Sequence, residues 1–366
     1  MTTTINGSSP SITFSDGSSQ TSATRPFLNR IINGNFVIDQ RNAGASVTPN
    51  GSYTLDRWQG QNSQTSKYTV QQNAGSVTPP VGFTNYLGVT SSSAYSVASG
   101  DYFFLAQTIE GYNVSDLGWG TANAKTVTVS FWVRSSLTGT FGGAIRAGGF
   151  DQSYPFTYTI SLANTWEYKT ITITGATSGT FGSTNGNGLQ LCIGLGAGST
   201  YSGTAGAWSG SNLVSATGAT SVVGTNGATF YITGVQLEVG STATSFDYRP
   251  YGTELALCQR YFEKSQTNAI GSSDNSIYVP SVSDGSNNAI YSWKFSVEKR
   301  ALPTMTAYKP DGTSGSWEYS RSGVGSAAAT ITFHQPLTSC TNFYMNIGAT
   351  WTVCHMYGNL AANAEL

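Results

Sequence analysis

The chain has 366 residues, only 10% of them charged, and a net charge of −1. Ordinary soluble domains carry about 25% charged residues. With 17 Lys plus Arg balanced by 18 Asp plus Glu, there is no basic patch of the kind a nucleic-acid backbone demands. No apolar run approaches the ~18 residues of a membrane-spanning helix. Aromatic residues at 12% and 43 glycines suit short strands joined by tight turns.

Residues 1–26 form a flexible N-terminal arm. Thirteen of them are Ser or Thr, and only Asp16 and Arg25 are charged, so the arm buries too little apolar surface to fold alone. Ser11-Ile12-Thr13-Phe14 would add one short strand to a neighbour. The opening Met1-Thr2-Thr3-Thr4 has neither the basic region nor the apolar block of a secretory signal, so synthesis in a cytoplasm is expected.

Residues 27–250 read as one all-β domain. In Thr126–Arg134, Val127, Val129, Phe131 and Val133 point one way, and Thr128, Ser130 and Trp132 the other. Further strands are expected at 67–71, 102–109, 166–173, 189–195 and 229–239, with Gly-rich turns between them. Many short strands without helical spacing indicate a sandwich or jelly roll. In Leu191–Gly196, one face is apolar and the other nearly bare glycine. Bare glycine either lets a side chain lie across the sheet or leaves room for a ligand.

Tyr248-Arg249-Pro250-Tyr251-Gly252 ends this pattern. A short linking helix is predicted next, over Thr253–Lys264 within a 251–265 joint, with Thr253 as N-cap. Leu255, Cys258, Tyr261 and Phe262 line one face, which must pack on something, because three turns do not stand alone. Residues 266–366 return to β and read as a second, small C-terminal β-sandwich. Tyr291, Trp293, Phe295 and Val297 alternate with polar residues, and further strands are expected at 331–333, 343–347 and 351–353.

Catalytic chemistry is sparse. There is no P-loop and no nucleophile elbow. The two histidines, His334 and His355, both lie near the C-terminus. Cys192, Cys258, Cys340 and Cys354 are scattered, so zinc is not expected. Buried reduced thiols are expected, and a Cys340–Cys354 bridge would need an oxidising compartment. Asp101, Glu110, Asp116, Asp151 and Glu167 are acid-pair candidates by residue type alone. The chain is therefore read as a non-enzyme without cofactor or metal.

Binding surfaces are better represented. Sugars present apolar C–H faces and many hydroxyls, so rings in Gly/Ser-rich loops, next to carboxylates and amides, suit them. Phe150, Asp151, Tyr154, Tyr201 and Trp208 are the candidate ligand-binding residues of the large domain, with Trp317 and Tyr319 as a second set at the C-terminal tip. Trp119, between two glycines, is a further loop ring. For each loop ring the alternative is that it folds back as cover.

Ile31-Ile32-Asn33-Gly34-Asn35-Phe36 followed by Trp58, together with Phe230-Tyr231-Ile232-Thr233-Gly234-Val235-Gln236-Leu237-Glu238, resembles the opening and closing strands of carbohydrate-binding-module jelly rolls. The resemblance implies that Trp58 and Trp166 are core. That family often carries a structural calcium whose last-strand ligand is Asp; Gly234 stands there, so that ligand is missing. With the Ser/Thr arm, the R-P-Y-G turn and the Glu254–Phe262 joint, the chain also resembles tail-fibre and virion-appendage proteins of marine and cyanobacterial bacteriophages. That likeness implies a homotrimer in the virion, docked to other virion proteins by its arm and binding a host-surface glycan. A head-decoration fibre, a secreted bacterial carbohydrate-binding protein and a glycan hydrolase are the alternatives.

Overall fold

A computed structural model describes residues 4–6, 11–13, 19–20, 27–265, 277–283, 288–321, 324–334, 336–346 and 354–366. In the arm, β1 (Thr4–Asn6), β2 (Ser11–Thr13) and β3 (Ser19–Gln20) pair antiparallel with one another. The expected strand at Ser11 thus finds its partners inside the arm.

The large domain comprises β4 (Tyr53–Leu55), β5 (Trp58–Asn62), β6 (Tyr68–Gln72), β7 (Leu87–Ser91), β8 (Tyr102–Glu110), β9 (Val127–Ser135), β10 (Gly139–Ala147), β11 (Ser153–Ile160), β12 (Glu167–Ile173), β13 (Asn187–Ala197), the two-residue pair β14 (Ser202–Gly203) and β15 (Ser215–Ala216), and β16 (Thr229–Val239). A six-stranded sheet of order β11-β10-β13-β8-β5-β4 faces a five-stranded sheet of order β12-β9-β16-β7-β6. β8 to β9, β9 to β10, β11 to β12, β12 to β13 and β13 to β16 each cross from one sheet to the other, while β10 and β11 form a hairpin within one sheet; this gives the jelly-roll winding. The alternation read in β9 holds: Val127, Val129, Phe131 and Val133 are buried in one core with Phe103 and Leu105 of β8, Ile145 of β10 and Leu191 and Ile193 of β13. Inward positions of both sheets thereby form the single core that period-2 patterning demands.

The two marker stretches meet. Asn33 adopts φ 58° and Phe36 φ 55°, turning the chain tightly. The Asn33 side chain fixes the turn, accepting the Ile38 N–H and donating to the Ile38 and Asp56 carbonyls. At Gly34 a Cβ would lie 2.1 Å from the Val235 carbonyl oxygen of β16, so only glycine allows this approach. The fully buried Trp58 donates its indole N–H to the Asn33 carbonyl at 3.1 Å and packs on Phe36, ring centroids 5.0 Å apart. Gly234 has φ 62° and lies directly beneath the Phe83 ring.

Two expectations need correction here. The helix α1 spans Tyr251–Gln259, not 253–264, and its N-cap is Pro250. The Pro250 carbonyl accepts the Thr253 and Glu254 N–H groups, and proline's fixed φ suits a helix start. The stretch after Arg260 leaves the helix because Phe262–Lys264 (β17) joins a sheet. Trp166 is also not core. It is half-buried on the outside of the five-stranded sheet, where it packs on Tyr86 and Tyr231 and donates to the Thr78 carbonyl.

The C-terminal unit adds β18 (Ile277–Ser283), β19 (Asn288–Lys294), β20 (Thr304–Tyr308), β21 (Ser316–Arg321), β22 (Val324–His334), β23 (Cys340–Asn346) and β24 (Cys354–Asn363). Its strands run β17-β24-β18-β19-β23-β22-β21, β20 also pairs with β24, and β21 closes back on β24, so one eight-stranded sheet folds back on itself around the second core. Trp317, Phe343, Met345 and Met356 are among its core residues. The expected strand at 351–353 lies outside the described residues. Cys192, Cys258 and Cys340 are free thiols, the first two buried.

The helix and the two units share one junction. Cys258 and Tyr261 pack on Ile32 and Ile38 of the large domain. Buried Glu110, at the end of β8, accepts from Arg260 Nε at 3.0 Å, Arg260 Nη2 at 2.6 Å and Tyr261 Oη at 2.7 Å. Glu365 pairs with Arg57 and with Arg41, the latter at 2.8 Å. The apolar face of the helix is thus covered by its own chain.

Candidate functional site

The outer face of the six-stranded sheet carries a cleft of about 360 Å³. Strand pairing dictates its floor. Arg146 of β10 is in register with Gln190 of β13, and Gln190 with Thr108 of β8. These side chains form one hydrogen-bonded row. Arg146 Nε donates to Gln190 Oε1 at 2.8 Å, and Gln190 Nε2 donates to Thr108 Oγ1 at 2.8 Å. Arg146 Nη1 also donates to Asn212 Oδ1. On β5, Gln61 Nε2 donates to Gln59 Oε1 at 3.1 Å.

Rings flank these amides. Tyr102 and Tyr201 meet edge to face, 4.9 Å between centroids, next to Phe104. The Arg146 guanidinium lies 4.1 Å from the Phe150 centroid and 5.3 Å from that of Phe104. Phe150 is held at φ 60°, a left-handed conformation uncommon for a bulky residue. The bare glycine of β13 is explained by a covering chain segment rather than by an open space. A Cβ at Gly142 or Gly194 would strike Ser215 of β15, so the 211–217 segment lies across the sheet and walls one side of the cleft.

Of the sequence-predicted ligand residues, Phe150 and Tyr201 line this cleft, and Asp151 is exposed outside its lining. The other four lie in or against the two cores and outside this lining. Tyr154 is buried in the main core, and the half-buried Trp208 packs against it, its indole N–H donating to the Thr174 carbonyl at 2.8 Å. Together with Trp119 and Phe181 these rings plug one end of the sandwich, Trp208 lying 5.2 Å from Trp119 and 5.4 Å from Tyr154. Trp317 is fully buried in the second core and donates to the Asn359 carbonyl; Tyr319 is half-buried against the same core. A ring in a glycine-flanked loop has the freedom to fold inward, and apolar area drives it there. The residues missed in the sequence are Gln59, Gln61, Tyr102, Phe104, Thr108, Arg146, Gln190 and Asn212. Their one signal was parity: Tyr102, Phe104 and Thr108 occupy the positions of β8 opposite to the core-facing Phe103 and Leu105.

Four of the five acid-pair candidates, Asp101, Glu110, Asp116 and Glu167, are already partnered. Asp116 pairs with Arg30 at 2.7 Å and Glu167 with Lys169 at 2.6 Å. Asp101 accepts from Ser63 and Tyr95. Burial pushes the Glu110 carboxyl up, but the hydrogen bonds from Arg260 and Tyr261 outweigh it and hold it below the usual carboxylate range. A general acid needs the opposite shift. Among the described residues no His, Cys, Asp and Glu cluster has metal-binding geometry.

A second groove, of about 550 Å³, lies on the five-stranded sheet between Trp132, Tyr168, Phe83, Phe246 and Tyr248. It is the larger, but Ser130, Thr244 and Ser245 are its few polar side chains. The first cleft has the better hydroxyl-binding chemistry.

No protein-family model and no curated protein matches the chain. Among solved structures it is similar to the enzymatically active domain of tailspike protein 4 of bacteriophage CBA120, at 14% identity and a TM-score of 0.31 over 60% of this chain. The match spans 23% of the length of that domain's chain. It is also similar to a family 61 carbohydrate-binding module in complex with β-1,4-galactotriose, at 12% identity and a TM-score of 0.30, over 59% of this chain and 100% of that one. The family 11 carbohydrate-binding module of Clostridium thermocellum, in complex with a β-1,3-1,4-mixed-linked tetrasaccharide, matches at 13% identity and a TM-score of 0.26, over 56% of this chain and 100% of that one.

Proposed function

We propose that this protein binds glycan, without chemical conversion, in the cleft on its six-stranded sheet, and that it does so as a virion fibre protein recognising a host surface. The observation that supports this most is the cleft's composition. Amides of Gln59, Gln61, Gln190 and Asn212 stand beside the rings of Tyr102, Phe104, Phe150 and Tyr201. Amides both donate to and accept from hydroxyls, and rings cover the apolar C–H face of a sugar. The fibre part of the reading rests on the sequence resemblance: the arm, the R-P-Y-G turn and the joint. In that role residues 1–26 dock to other virion proteins, and three copies assemble on the particle. Because α1 is already covered by its own chain, the trimer contacts come from other surfaces. Light scattering of the full chain at micromolar concentration should give the mass of three chains, and a monomer mass contradicts the fibre assembly.

Binding is tested by titrating the full chain with the oligosaccharides selected on a glycan array. Tyr201→Ala should weaken binding by roughly tenfold, the ~1–3 kcal/mol of a ring anchor, with the unfolding temperature nearly unchanged. Tyr168→Ala, in the other groove, should leave affinity intact. The reverse pattern moves the site to the five-stranded sheet.

A further inference from the structure

Resting on the glycan reading of this cleft, we propose that its ligand is an acidic glycan, whose carboxylate or sulfate is bound by Arg146. Arg146 is the one charged side chain among the cleft's lining residues, and it is only 7% exposed. A buried charge is costly unless a counter-charge meets it. This protein follows that rule elsewhere: buried Arg57 pairs with Glu365 and buried Lys299 with Glu263. Among the described residues, Arg146 has no carboxylate within ion-pairing distance, although Leu366 lines the same cleft.

Its neighbours solvate it but do not neutralise it. Gln190 Oε1 accepts from Nε and Nη2, Asn212 Oδ1 accepts from Nη1, and the Phe104 and Phe150 rings lie alongside. The guanidinium has five N–H donors, and these contacts use three, which leaves one further N–H each on Nη1 and Nη2, with the buried Cys192 thiol beside the guanidinium. Two such N–H groups on one planar fork match the two oxygens of a carboxylate or sulfate. The ion is thus preorganised: the amides fix its plane, the rings fix its height, and the missing partner is an anion brought by the ligand. Next to it, the Gln59, Gln61 and Asn187 side chains hold no charge, so no side chain in the lining repels an acidic sugar.

The experiment is an array of neutral gluco-, xylo- and galacto-oligosaccharides, oligouronates and sulfated oligosaccharides, probed with the full chain. Calorimetry then compares the strongest binder with its carboxyl-reduced or desulfated form. The acidic form should bind at least tenfold more tightly, and that preference should shrink as salt is raised, since charge pairing is screened. Arg146→Gln should abolish the preference, while Tyr201→Ala should weaken the acidic and neutralised forms alike. If Arg146→Gln fails to fold, the wild-type comparison of the two forms and its salt dependence still decide. A strongest binder that is neutral, or one that loses nothing when its acid groups are removed, overturns the acidic-ligand proposal and leaves the glycan reading standing. Absence of binding to any array member overturns both.

Discussion

Single residues carry much of the account, and some carry it against their appearance in the sequence. Trp208 stands between Ala207 and Ser209 in a glycine-bounded loop, which reads as a ring offered to solvent. In the fold its edge meets Trp119, Tyr154 and Phe181. Trp208→Ala should therefore lower stability by ~2–3 kcal/mol, somewhat below the value for a fully buried Trp, while glycan affinity of the folded fraction stays unchanged. Chemical denaturation and titration of the same sample check both. Asp56 shows a second kind of residue effect. Burial pushes its carboxyl up to about 6, partly offset by Arg41 and by hydrogen bonds from Gln40. The folded value lies above the unfolded one of ~3.9, so the native state holds the proton more tightly. Asp56's contribution to stability is full below about pH 4 and is lost as pH rises through 6. Relative to Asp56→Asn, which has no proton to lose, the wild type should lose ~2 kcal/mol of stability between about pH 4 and about pH 7. A constant difference between the two across that range would show that Asp56 titrates normally.

At the scale of elements, the strands were legible because half-buried strands alternate with period 2, and β9 and β16 follow the pattern closely. The helix was legible only in its existence. Its start was misplaced because Pro250 begins the helix, and its end because the Phe262 segment is taken by β24, a partner about 100 residues away in sequence that no local signal announces. The cleft was illegible for the same reason. Gln59, Phe104, Arg146 and Gln190 come from four strands, and each alone resembles an ordinary outward position; only strand pairing sets them side by side. The joint after the helix makes its own prediction. Arg260→Ala would leave the buried Glu110 carboxylate with Tyr261 as its remaining side-chain donor. Arg260 is partly solvent-exposed, which reduces the full cost of breaking a buried pair, so a loss of ~2–3 kcal/mol is expected. Calorimetric unfolding should show it, together with a lowered transition for the C-terminal unit that docks through this junction. An unshifted transition would mean that the ion pair contributes nothing to docking.

At the scale of the whole molecule, the all-β architecture followed from composition and turn density, and the meeting of the Asn33–Phe36 turn with β16 gives the sequence likeness to carbohydrate-binding jelly rolls a physical basis. Two faces of the large sandwich remain available to a ligand. One combines rings with amides and a cation, and the other combines rings with small residues and three hydroxyl side chains of Ser and Thr. On the first face, buried Arg146 has no carboxylate within ion-pairing distance among the described residues. The most direct measurement is a crystal structure of the full chain with the oligosaccharide that binds most tightly on the array. The account predicts sugar density on the six-stranded sheet, with a ring of the glycan against Tyr201 or Phe150 and hydroxyls on Gln190 and Gln61. Density over Trp132 and Tyr168 instead, or on the C-terminal unit, would contradict it.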